Sequence, residues 1–331
     1  MHFQTIDAHT GGEPLRLIVD GWPEPRGKTI LEKRRYATRK QDHLRRVLMC
    51  EPRGHADMYG ALLTKPERSD SDTGVLFMHN EGYSLMCGHG VIAVTKILCE
   101  RSGPWSTVLR PRSADGSTSI TFDAPAGQIK AHYRGGKVSF INVPSFVLAA
   151  GVPVTIGART MRVDVAFGGA FYAVVDAEAA GLAVIPEKLA ELRAMGQAIS
   201  RAVEKVVQVG HPTEPGLHGV DGTIFTGPPD ADGADLKNVT IFAGREVDRS
   251  PCGTGTCAVL AVLDAMGLAD PSRPFVHESI VGSTFAARVT SRTTVGEFAA
   301  IVPELTGTAS ITGDHTFIVE PGDLFPEGFR L

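Results

Sequence analysis

Two short segments carry residue types that can do chemistry. Cys87-Gly88-His89-Gly90-Val91-Ile92-Ala93-Val94 and Cys252-Gly253-Thr254-Gly255-Thr256-Cys257-Ala258-Val259 share the pattern C-G-x-G-x-x-A-V, and they lie about half the chain apart. A cysteine at the start of a helix sits beside unpaired backbone N–H groups and the positive end of the helix dipole, which favour a thiolate and lower its pKa. The glycines let the backbone approach a ligand, and the same N–H groups can hold a carboxylate. Two such sites acting on one anionic substrate suit inversion at a carbon, because one group removes the Cα proton while the other delivers a proton to the opposite face. Donors on the carboxylate strengthen as the carbanion forms, so no electron-sink cofactor is required.

The elements that must position these cysteines follow from the flanking sequence. Each motif is preceded by a strand-like run, Val75–Met78 and Val239–Phe242, and each continues into a helical apolar pattern, about Gly88–Glu100 and Gly253–Met266, the second stopped by Gly267. Helical periodicity is otherwise clear near 29–48 and 187–206, and short strands are expected at 117–124, 126–133, 137–142, 161–166 and 171–176. This is a strand-rich α+β pattern of two similar α/β halves rather than regular βα alternation. The expected division gives residues 1–124 with about 303–331 to a first domain carrying Cys87, and 125–302 to a second carrying Cys252.

Composition narrows the function classes. The 331 residues are 43% apolar and 21% charged, enough to bury a sizeable core. A formal net charge of -4 gives no global attraction for nucleic acid, and the basic run from Lys33-Arg34-Arg35 through Arg39-Lys40 to Arg45-Arg46 reads as a solvated helix face. No apolar run approaches the ~20 residues of a membrane span, so a cytoplasmic location is expected. The five cysteines are an odd, scattered set and read as thiols; Cys50, Cys99 and Cys257 are expected to be structural. Cys252 and Cys257 are five apart with no histidine near in sequence, which argues against a zinc site. A rival class remains: both motifs also fit G-x-G-x-x-A, the dinucleotide fingerprint of a nucleotide-binding oxidoreductase, but Ser102-Gly103-Pro104 and Asp270-Pro271 turns stand where its next elements would begin, and the twin cysteines go unexplained.

Met86-Cys87-Gly88-His89-Gly90 and Asp248-Arg249-Ser250-Pro251-Cys252-Gly253-Thr254-Gly255-Thr256 resemble the proline racemase family of proline racemases, 4-hydroxyproline 2-epimerases and trans-3-hydroxy-L-proline dehydratases. Asp7–Pro14, Glu51–His55 and Phe167–Tyr172 extend the resemblance over essentially the whole chain. It implies a diaminopimelate-epimerase-like pair of α/β domains with the active site in the cleft between them. It also implies Cys87 and Cys252 as proton acceptor and donor, Gly88, His89, Gly253 and Thr254 on the substrate carboxylate, Asp248 near the amine, and a contact at Thr223. The partner implied is a small molecule, proline or hydroxyproline, with no cofactor and no metal; a homodimer is a further option. Dehydratases of the family usually carry threonine at the second catalytic position, so Cys252 favours inversion. Glu51–Gly60, with His55 and Tyr59, looks more like the racemase and dehydratase branches, and leaves the ring substituent open.

Overall fold

The computed structural model describes residues 1–107, 113 and 116–331. They form two compact units, Met1–Phe140 with Thr308–Leu331, and Ile141–Gly307. These limits fall later than the expected 124 and 303, because the antiparallel run begun before residue 124 continues through two more strands.

In the first unit β1 (His2–Thr10) and β2 (Glu13–Asp20) form a hairpin. α1 (Ile30–Tyr36) starts at a capping box in which Thr29 accepts from the Glu32 N–H and the Glu32 carboxylate accepts from the Thr29 N–H. A π-helical turn at Ala37–Gln41 leads into α2 (Asp42–Met49). β3 (Tyr59–Thr64) runs parallel to β2, and β4 (Thr73–His79) antiparallel to β3. α3 (Gly88–Glu100) follows, then β5 (Thr118–Ala124) parallel to β4, β6 (Gly127–Arg134) antiparallel to β5, and β7 (Lys137–Ile141).

The second unit uses the same order. After β8 (Ser145–Ile156), β9 (Arg159–Phe167) and β10 (Phe171–Asp176) form a hairpin, α4 (Leu189–Val206) follows, and β11 (Gly222–Gly227) lies parallel to β10. β12 (Leu236–Phe242) is antiparallel to β11 and to the short β13 (Glu246–Asp248), which leads to α5 (Gly253–Ala265). β14 (Phe275–Ser279) returns parallel to β12, and β15 (Thr284–Val295) antiparallel to β14. β16 (Phe298–Ile318) pairs first with β15; its later residues, Ala309–Ile318, pair with β1.

The cysteine helices α3 and α5 are apolar on nearly every side and buried for most of their length, as a helix enclosed by its own unit must be. α5 ends where Gly267, at φ 71°, allows the Leu268 N–H to reach the Leu263 carbonyl. The basic run of α1 and α2 is the solvated face expected at Arg35, Arg39, Lys40 and Arg46, which are exposed, but not at Lys33 and Arg45. Lys33 is buried, bound to Glu24 and the Lys65 carbonyl, and Arg45 is buried, bound to Asp42 and the carbonyls of His79 and Asn80. Asp42, one turn before Arg45 in α2, is visible in the local charge spacing; the carbonyls of Lys65, His79 and Asn80 lie far along the chain and are not. Among the described residues no helix is long and apolar enough to cross a membrane.

Candidate active site

Cys87 is the N-cap of α3: its backbone is extended (φ -146°, ψ 108°) and its Sγ accepts the Gly90 N–H at 3.3 Å. The loop before it folds back onto β4, with the Ser84 N–H donating to the Phe77 carbonyl. His89, in the first turn, places Nδ1 3.3 Å from Sγ, and both side chains are buried. The Thr10 hydroxyl donates to the His89 carbonyl at 3.0 Å, and the Tyr59 ring meets the imidazole edge-to-face at 4.8 Å. A Cβ at Gly90 would lie 2.5 Å from the Phe77 ring and 2.9 Å from Sγ, so only glycine lets the sulfur cap the helix so closely.

Cys252 caps α5 in the same manner, its Sγ accepting the Gly255 N–H at 3.4 Å, but its backbone lies at φ 60°, ψ 106°. A non-glycine residue held there is strained, and such strain clusters at functional sites. Its N–H donates to Ser250 Oγ at 3.1 Å, and Ser250 in turn donates through N–H and Oγ to Asp248 Oδ1. Thr254 Oγ1 lies 2.7 Å from the Tyr172 hydroxyl, and both approach Sγ, at 3.7 and 3.8 Å. The thiol is not acidified as its helix-start position suggested. Burial, with the negative Asp248 second, pushes it up to about 12, against the pull of the Thr240 and Thr254 hydroxyls and the Gly255 N–H. Desolvation of a fully enclosed sulfur outweighs the dipole of one helix.

At α5 the N–H groups of Gly253 and Thr254 meet no acceptor among the described residues, and at α3 the same holds for Gly88. These are ready donors for an anion. No cluster of three or more His, Cys, Asp or Glu side chains among the described residues is placed to hold a metal ion.

The sequence matches the family model for proline racemase over residues 5–330. The chain belongs to the proline racemase family. A trans-3-hydroxy-L-proline dehydratase from Bacillus thuringiensis subsp. konkukian is 47% identical over 334 residues, covering 99% of this chain and 98% of that protein. A proline racemase from Clostridioides difficile is 38% identical over 99% of this chain and 98% of its own length. A crystal structure of a hydroxyproline epimerase from Agrobacterium vitis with bound trans-4-hydroxy-L-proline superposes with a TM-score of 0.90 at 29% identity, covering 100% of this chain and 95% of that one. These family members are all enzymes, and the two-unit α+β architecture is the one this family shares.

Among the remaining candidates, Thr223 is turned away. It is buried on β11, donates to the Gly196 carbonyl at 2.9 Å and meets Ser200 Oγ, both on α4, while the adjacent Ile224 faces the cluster that includes Cys252. Strand alternation sends neighbouring side chains to opposite faces, so a one-residue uncertainty in alignment reverses the assignment. His55 is exposed and bound to the Ala56 carbonyl, whereas Tyr59 packs on His89. Cys50 and Cys257 are buried and Cys99, near the end of α3, is half-buried. Thr10, Tyr172 and Ser250 lie within the segments that resemble the family, but residue type alone assigns them no role. Each reaches a site through tertiary contact or a turn, and nothing in periodicity marks them.

Proposed function

We propose that this member of the proline racemase family is a cofactor-independent two-base racemase or 2-epimerase that inverts Cα of proline or a hydroxyproline. One observation carries the reading: both motif cysteines cap the N-terminus of a buried helix through sulfur, each beside unfilled N–H donors suited to a carboxylate. In this scheme the thiolate of Cys87 takes the Cα proton on one face, the thiol of Cys252 gives its proton on the other, and the roles exchange for the reverse direction. The high proton affinity of buried Cys252 supports its entry as the acid. Gly88, His89, Gly253 and Thr254 receive the carboxylate, whose growing negative charge they stabilise, and Asp248 faces the ammonium.

The 47% identity to a dehydratase supports a second reading, loss of water from trans-3-hydroxy-L-proline, in which a single base at Cα suffices. Incubation of L-proline, trans-4-hydroxy-L-proline and trans-3-hydroxy-L-proline in deuterated water separates the two. Inversion gives deuterium at Cα with a change of optical rotation for at least one of the first two substrates. A cyclic imine carboxylate from the 3-hydroxy compound as the only product overturns it.

A further inference from the structure

Cys252 is held in a left-handed backbone conformation, and the peptide unit that leads into it is bound at both polar atoms. Its N–H, on Cys252, donates to Ser250 Oγ at 3.1 Å; its C=O, on Pro251, accepts from Thr256 Oγ1 at 3.1 Å. Behind Thr256 stands His277 on β14, a fully buried imidazole whose Nδ1 lies 2.9 Å from the same hydroxyl. A hydroxyl has one proton. If it goes to the Pro251 carbonyl, which can only accept, His277 must donate from Nδ1. Burial holds the ring pKa near 3, so the ring stays neutral and keeps that donor through the ordinary pH range.

The first motif differs at this point. Val91, which has no hydroxyl, occupies the position equivalent to Thr256, and the Cys87 φ of -146° is ordinary extended backbone. The hydroxyl that binds the preceding carbonyl stands in the motif whose cysteine backbone is strained. Both clamps orient the same peptide plane: Asp248 acts through Ser250 at one end, and His277 acts through Thr256 at the other.

We propose that His277 is a positioning residue, acting through Thr256 on the Pro251 carbonyl to hold the Cys252 sulfur against the Gly255 N–H. The inference rests on the two-base reading for its catalytic meaning. Its test reads the Cys252 thiol directly, so it stands or falls separately from the identity of the reaction.

The experiment alkylates the full-length protein with iodoacetamide across a pH series and follows Cys252 and Cys87 peptides separately by mass spectrometry, with Cα inversion measured in parallel. His277→Leu and Thr256→Val each remove the tether, the latter copying the first motif. Loss of the Gly255 donor from sulfur should move the Cys252 midpoint upward and lower the Cys252-to-Cys87 rate ratio about tenfold at fixed pH. His277→Asn, which keeps an N–H near the place of Nδ1, should hold that ratio near wild type. Inversion in the Leu and Val variants should lose about 10- to 100-fold in kcat with little change in KM, as for a misplaced reacting group. An unchanged or raised alkylation ratio in folded variants overturns the proposal, as does a loss in His277→Asn as large as in His277→Leu. Failure of both Leu and Val variants to fold would assign the network to stability alone and overturn it too.

Discussion

Cys87 and Cys252 cap their helices alike yet differ as chemical groups. Cys87 has an imidazole nitrogen 3.3 Å from its sulfur, whereas Cys252 has hydroxyls and a nearby carboxylate and is pushed up to about 12 by burial and Asp248. The proposed two-base reaction requires one thiol to start as base and the other as acid. Serine keeps the size of either side chain but is far less acidic than a thiol. Cys87→Ser and Cys252→Ser are therefore each expected to lower Cα inversion by about 10²- to 10⁴-fold, with the unfolding midpoint little changed. Near-normal inversion by either variant, followed by polarimetry, would remove the two-base mechanism.

At the level of elements, each sulfur is only as well placed as the helix behind it. α5 is pinned at its start by the turn between β9 and β10. A Cβ built on Gly168 would lie 2.1 Å from the Thr254 carbonyl oxygen and 2.7 Å from the Ala258 backbone nitrogen. Backbone on both sides leaves no flexible side chain to yield, so the turn and the helix must part. Gly168→Ala is expected to cost about 1–3 kcal/mol, read as a lower urea midpoint, and to reduce inversion by displacing Thr254 and Cys252. Unaltered stability and activity would show that α5 tolerates the shift.

Across the whole molecule, the most strongly perturbed neutral groups of the second unit define a pH window. Burial raises the Cys252 and Cys257 thiols from 9.0 to about 12, so between those values the unfolded chain releases protons that the folded chain keeps. Stability must then fall as pH rises above 9, by at most about 1.4 kcal/mol per pH unit for each thiol. His277 works in the opposite direction. Its folded pKa of about 3 lies below 6.5, so the unfolded chain binds an extra proton below 6.5 and stability falls as pH falls. Denaturant unfolding should therefore show a maximum between about pH 6.5 and 9, and Cys257→Ala should flatten the alkaline side. An alkaline slope unchanged by that substitution would dissociate it from the Cys257 thiol.

The sequence by itself determined the duplicated cysteine motifs, the helices that begin at Gly88 and Gly253, the strand-rich α+β pattern and the family. All of these depend on local spacing and on residues adjacent in the chain. Tertiary structure decided the rest. Tyr172 meets Thr254 across two elements, Thr223 faces α4 because strand alternation assigns it that side, and buried Lys33 and Arg45 donate to backbone carbonyls far along the chain, Lys65 for one and His79 for the other. The proton affinity of Cys252 was decided there as well. A helix start is visible in a sequence, but the enclosure that desolvates its sulfur, and the His277–Thr256 chain that holds its backbone, exist only once segments far apart in the chain are packed together.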